Sequence, residues 1–136
     1  MTTSAWVDAN VLLRLLTADP PDMALAARDV ARRAAAGELR LRLAHLVVAE
    51  VVWVLASFYK VERMEIARLV GQVVCGEGVV CVERDEILQA LRLMSEKNVD
   101  FVDAWLAVLA SSHDEPLLSF DTDFDRLPVQ RLDPHG

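Results

Sequence analysis

Four places in the chain put carboxylates where a carboxylate is costly: Asp8, Glu50, Asp103, and the run Asp121-Thr122-Asp123-Phe124-Asp125. Asp8 closes the apolar stretch Ala5-Trp6-Val7 and is followed by Asn10; a helix N-cap would also account for it. Glu50 is the sole charge between Leu46 and Leu55, and its neighbours three and four residues away are Leu46, Val47, Trp53 and Val54. That setting predicts burial, which an ionised carboxylate tolerates only when paired or bound to a metal. The competing reading is a protonated or Arg-paired core glutamate. Asp103 is the one charge between Phe101 and Leu109, and a capping arrangement with Asp100 three residues earlier is its alternative. The Asp121 run has the opening of a calcium loop, but Arg126 stands at the sixth position and Leu132 at the twelfth, which excludes an EF-hand. Ser119, two residues before Asp121, is placed to orient a carboxylate or a water. Oxygen ligands of this kind suit hard divalent cations, Mg²⁺ or Mn²⁺. Such ions activate water and stabilise the leaving oxygen in phosphodiester hydrolysis.

The elements that must position these residues follow from hydrophobic periodicity. Ala5–Val7 reads as a buried strand, and Asn10–Thr17 as a helix broken by Asp19-Pro20-Pro21-Asp22. A long Ala/Arg helix runs from Asp22 to Ala36 and closes at Gly37. Leu39–Leu43 alternates as a half-buried strand does, whereas Leu46–Phe58 is too long for a strand and reads as a buried helix. Helices are expected over 63–75, 83–97 and 100–111, with strands over 79–82, 116–120 and 129–132. Alternating strands and helices predict an α/β fold, a three-layer α/β/α sandwich on a mainly parallel sheet. Ligand sites in such sheets lie beyond the carboxyl ends of the strands, where Asp8 and Asp121 stand.

Composition bounds the remaining choices. A chain of 136 residues, 54% apolar and 26% charged, fits a single domain spanning residues 1–136 with a real core. No apolar stretch is long enough for a membrane span, and the first residues lack the basic start of a signal peptide, so a cytoplasmic protein is expected. Cys75 and Cys81 have no partners that would complete a zinc site and read as reduced core residues. A net charge of −7 argues against coating nucleic acid with a basic surface. It is compatible with an acidic metal centre acting on nucleic acid. His45, His113 and His135 show no paired metal spacing, and Trp6, Trp53 and Trp105 read as core.

The ordered set Asp8-Ala9-Asn10-Val11-Leu12-Leu13-Arg14-Leu15-Leu16-Thr17, Glu50-Val51-Val52-Trp53-Val54-Leu55, Asp100-Phe101-Val102-Asp103-Ala104 and Ser119-Phe120-Asp121-Thr122-Asp123-Phe124-Asp125-Arg126-Leu127 resembles the PIN domain. More narrowly, it resembles the VapC-type toxins of bacterial toxin–antitoxin pairs. The resemblance implies a Mg²⁺- or Mn²⁺-dependent endoribonuclease acting on RNA and a cognate antitoxin that blocks it. By motif, Asp8, Glu50, Asp103 and Asp121 fall on the catalytic, metal-ligating positions, Asp123 on an accessory one, and Asn10 and Ser119 on polar supports. Ser119 stands where Thr is commoner, and keeps the hydroxyl. A homodimer through the apolar surfaces of the first two helices is also expected. Two other functions compete. A haloacid-dehalogenase-like phosphatase would need an Asp where Asn10 stands and a Lys ahead of the late acidic motif, whereas Lys97 is the last one. An acidic binding module without catalysis would have no use for carboxylates in apolar settings.

Overall fold

The computed structural model describes residues 1–136 and opens on a short strand followed by a helix. Strand β1 (Thr3–Trp6) leads through Asp8 into helix α1 (Ala9–Thr17), and Pro20-Pro21 starts helix α2 (Pro21–Ala35) with proline at its first turn, where no N–H is needed. Strand β2 (Leu39–Arg42), helices α3 (His45–Ser57) and α4 (Arg63–Val74) and strand β3 (Val79–Val80) follow. Helix α5 (Arg84–Lys97), helix α6 (Phe101–Ser112), strand β4 (Leu117–Leu118), a 3-10 turn over Thr122–Arg126 and strand β5 (Arg131–Leu132) complete the chain.

The chain divides into two compact units, Met1–Arg84 and Asp85–Gly136. In the first, β1, β2 and β3 form a parallel sheet in that order, with Thr3 opposite Leu39, Trp6 opposite Arg42 and Leu41 opposite Val79. In the second, β4 and β5 pair in parallel, Leu117 opposite Arg131. Parallel pairs require crossover connections, and α1–α2, α3–α4 and the 3-10 turn supply them. The α/β class and parallel pairing expected from the sequence are those the protein adopts.

Burial departs from the sequence expectation at several elements. Strand β1 is exposed at all four residues instead of buried, and the strand lies two residues earlier than its apolar centre suggests. Helix α3 buries Val48, Val51, Val52 and Leu55, spaced as one face of a helix. Its other face, with Leu46, Glu50 and Trp53, is exposed, Trp53 at 69%. The helix is apolar on both faces, so composition alone hid which face is covered. Trp6, expected in the core, is 71% exposed with the Arg42 guanidinium over its ring, and Trp105 is half-buried. Cys75 is exposed and Cys81 half-buried, so neither is a core residue. The Gly78 turn has φ +79°, and a Cβ there would collide with the carbonyl oxygen of Ala34.

Candidate functional site

The first unit carries Asp8, Asn10 and Glu50 on the wall of one open cavity of about 510 Å³. Asp8 follows β1 at the N-cap of α1, where its Oδ1 accepts the Val11 N–H at 3.1 Å. The capping reading of Asp8 is therefore correct. It leaves Oδ2 uncommitted to the cap, so capping and metal ligation are compatible in one side chain. Glu50 projects from the exposed face of α3. The buried, Arg-paired or protonated core glutamate is thus excluded, and so is the argument that its charge was costly to bury. What singles Glu50 out is that it shares a cavity with Asp8. Sequence reasoning passed over two other residues of this wall, Arg14 and Tyr59. Arg14 Nη1 donates to the backbone oxygen of Asp19 at 2.9 Å and to the Tyr59 hydroxyl at 3.4 Å. Only the spacing of Arg14 on the Asp8-headed helix could have pointed to it.

The second unit gathers the remaining acids. Asp103 stands in the first turn of α6, half-buried. Desolvation, followed by the negative charges of Asp100, Asp121 and Asp123, raises its carboxyl above the usual aspartate range. Asp100 occupies the N-cap position of α6 with Asp103 in the first turn, as the capping arrangement requires, but the Asp100 side chain makes no capping bond. Beyond β4, the Ser119 hydroxyl accepts the Asp121 N–H at 2.9 Å, and Asp121 Oδ1 accepts the Asp123 N–H at 2.8 Å. These two bonds fold the acidic run into the 3-10 turn. Phe124, buried, anchors the turn from within. Arg131 grips Asp125 through two nitrogens, at 2.9 and 3.2 Å, and the Ser119 carbonyl at 3.0 Å. That bond set takes Asp125 out of the candidate ligand group; Asp123 meets Arg126 more loosely, at 3.6 Å, and with Asp121 acts electrostatically on Asp103.

The structure thus brings Asp8 and Glu50 to one cavity, and Asp103, Asp121 and Asp123 within Coulombic reach of one another. Nowhere do three His, Cys, Asp or Glu side chains close to ligand spacing. Each group offers carboxylate oxygens, and Asp103 is raised first by desolvation and then by its acidic neighbours; oxygen donors of this kind suit a hard divalent cation.

A comparison with curated protein sequences returns no match. The family profile of the PIN domain matches residues 5–130, a stretch that runs through both units and contains every carboxylate named above. With strand-end and first-turn acids in an α/β fold of parallel strands, and a family match over nearly its whole length, the chain belongs to the PIN domain family of nucleases.

Proposed function

We propose that this protein is a Mg²⁺- or Mn²⁺-dependent endoribonuclease and the toxin of a toxin–antitoxin pair. The observation that carries the nuclease part is the family match over residues 5–130, and the gathering of Asp103 with the charges of Asp100, Asp121 and Asp123 supports a cation there. Asp8, Glu50, Asp103 and Asp121 would hold the ion, with Asp123 accessory. When bound, the ion supplies the positive charge and Lewis acidity that phosphodiester hydrolysis requires. The chain's own part is orientation. The Val11 N–H fixes Asp8 Oδ1, and the Ser119 hydroxyl fixes the backbone at Asp121. Asn10 contributes a neutral polar side chain to the Asp8 wall. Burial, followed by the charges of Asp100, Asp121 and Asp123, raises the Asp103 carboxyl, and a bound cation would favour its ionised form.

The toxin part rests on the motif resemblance, and an apolar groove supports it. A cavity of about 330 Å³ is lined by Leu12, Leu15 and Leu16 of α1, together with Leu41, Leu69 and Val73. An amphipathic antitoxin segment would lay its apolar face into this groove. Met23 and Leu25 of α2 are exposed and available to the same partner or to a homodimer. An antitoxin side chain that plugs an acidic cleft would be cationic, with arginine favoured by its bidentate fork. A cytoplasmic setting fits this role, and no helix is long and apolar enough to cross a membrane.

Incubation of the purified protein with total RNA and Mn²⁺, followed by sequencing of the RNA ends, tests the nuclease. Discrete new ends that vanish with chelator are expected, and their absence would refute it. Turnover of a small phosphomonoester instead would favour the phosphatase reading. Expressed alone, the protein should slow growth, with relief by the neighbouring small reading frame; no complex and no relief would remove the toxin role alone.

A further inference from the structure

We propose that Arg14 and Tyr59 hold a backbone phosphate of single-stranded RNA, and that the Phe58 ring beside them takes an unstacked base. The proposal rests on the ribonuclease reading and adds a substrate subsite to it. Arg14 shares the cavity wall with three carboxylates, those of Asp8, Asp19 and Glu50, yet both of its hydrogen bonds go to neutral oxygens. Its positive charge is therefore not consumed by an internal ion pair. Those bonds use Nη1 alone, so Nη2 keeps its donors, and Nε is buried without any acceptor. An orphaned buried donor is costly, and a small rotation of the guanidinium onto an anion would satisfy it. The 3.4 Å contact to Tyr59, long for a hydrogen bond, gives way at little cost. The Tyr59 oxygen accepts from Arg14 and retains its own hydrogen to donate. One guanidinium edge and one hydroxyl, both donors, then face the cavity together.

The charge balance selects the ligand and the order of events. Three carboxylates and one guanidinium leave this wall negative, which repels a polyanion. A divalent cation held by these carboxylates would bring the wall to formal neutrality and lessen the repulsion of a polyanion. Arg14 is the only cation on this wall to meet a phosphate, and its planar fork matches phosphate oxygens. Phe58 supplies the second recognition element. It is 73% exposed, lines the same cavity, and stands edge-to-face with Tyr59 at 4.9 Å between ring centres. A large exposed ring next to a phosphate donor is a stacking platform, which single strands can use and duplexes cannot.

The test is equilibrium binding of a fluorescent single-stranded RNA oligonucleotide to the full chain with Mg²⁺, across a salt series, in an Asp103→Asn background that holds cleavage off. Arg14→Gln should weaken binding about tenfold and reduce the slope of log K against log salt by about 0.7, the loss of one single-strand phosphate contact. Arg14→Lys should restore the slope and only part of the affinity. Phe58→Ala should weaken single-strand binding roughly tenfold with the slope unchanged, Phe58→Trp should restore it, and duplex RNA should show no difference. Thermal melts accompany each variant, and Arg14→Lys keeps the test valid should Arg14→Gln fail to fold. An unchanged slope in folded Arg14→Gln, or equal losses on duplex and single strand for Phe58→Ala, would overturn the subsite. If the wild-type chain neither binds nor cuts RNA, the ribonuclease reading itself fails. If it cuts while Arg14→Gln binds normally, only the subsite is lost.

Discussion

Asp8 carries two duties that substitution can separate. Its Oδ1 caps α1 through the 3.1 Å bond from Val11 N–H, and its charge is proposed to hold the metal. Asn caps a helix about as well as Asp, whereas Ala forfeits the bond at a cost of about 1 kcal/mol. Asp8→Asn also loses the attraction of a carboxylate for the helix N-terminus, worth about 0.3–1 kcal/mol. Relief of repulsion with Glu50, which shares the cavity, offsets part of that. Metal-free Asp8→Asn should therefore melt within about 2 °C of the wild type. Asp8→Ala should melt about 4–6 °C lower, at about 4 °C per kcal/mol for a chain of this size. Both should cut RNA at least 100-fold more slowly, since removal of a first ligand exceeds the loss seen for outer-shell partners. The assays are thermal melts in chelator and RNA cleavage in Mn²⁺. Equal melting of the two variants would show that the cap contributes nothing. Near-normal cleavage by Asp8→Asn would refute the ligand assignment.

Asp103 binds its proton more tightly in the folded chain than in the unfolded one, so its ionisation opposes folding above that raised value. Metal-free Asp103→Asn should be more stable than the wild type at pH 7, by up to about 1 kcal/mol after solvent screening. The advantage should vanish below about pH 3, where aspartate is protonated in both states, and Asp103→Asn should abolish cleavage; paired denaturant melts across pH check the sign. Glu50→Gln should lose cleavage yet leave metal-free stability within about 0.5 kcal/mol, because Glu50 is exposed; a loss on the order of 3 kcal/mol would restore the buried-pair reading. Gly78→Ala should cost more than about 1 kcal/mol, since the positive φ and the Ala34 carbonyl both oppose a Cβ; a melt unchanged from the wild type would contradict the turn geometry. Mg²⁺ should raise the wild-type melting temperature and leave that of Asp8→Asn unmoved.

Periodicity made the elements legible because each helix buries one stripe: Ile66, Val70 and Val74 in α4, or Ile87, Ala90, Leu91 and Met94 in α5. Bounds were off by one or two residues, where caps and not side-chain pattern decide the end. The pattern failed where apolar residues occupy both faces. In α3 the sequence offers no polar stripe to mark the exposed side, so the helix read as buried throughout, and Glu50 with it. Trp6 failed for a related reason. Its aromatic bulk reads as core, but at the carboxyl end of β1 it lies under Arg42, a cross-strand contact set by the Trp6–Arg42 register that no local window contains.

The site was legible by a different logic, and its errors are instructive for that reason. Asp8, Asp103 and Asp121 are proposed from chain position: after a strand, in a first helical turn, after another strand. That inference needs only topology, since ligands of parallel sheets lie beyond the carboxyl ends of the strands. Glu50 was singled out on a burial cost that it does not bear, and its place rests on the cavity it shares with Asp8. Arg14 and Tyr59 lie 45 residues apart, and nothing in either local sequence announces the other. A carboxylate that binds a metal must stand out from its apolar neighbours. A donor that meets substrate need only be left without an internal acid, and that condition is a property of the folded wall. The fold therefore adds to the acidic half, which sequence can propose, a cationic and aromatic half that only geometry reveals.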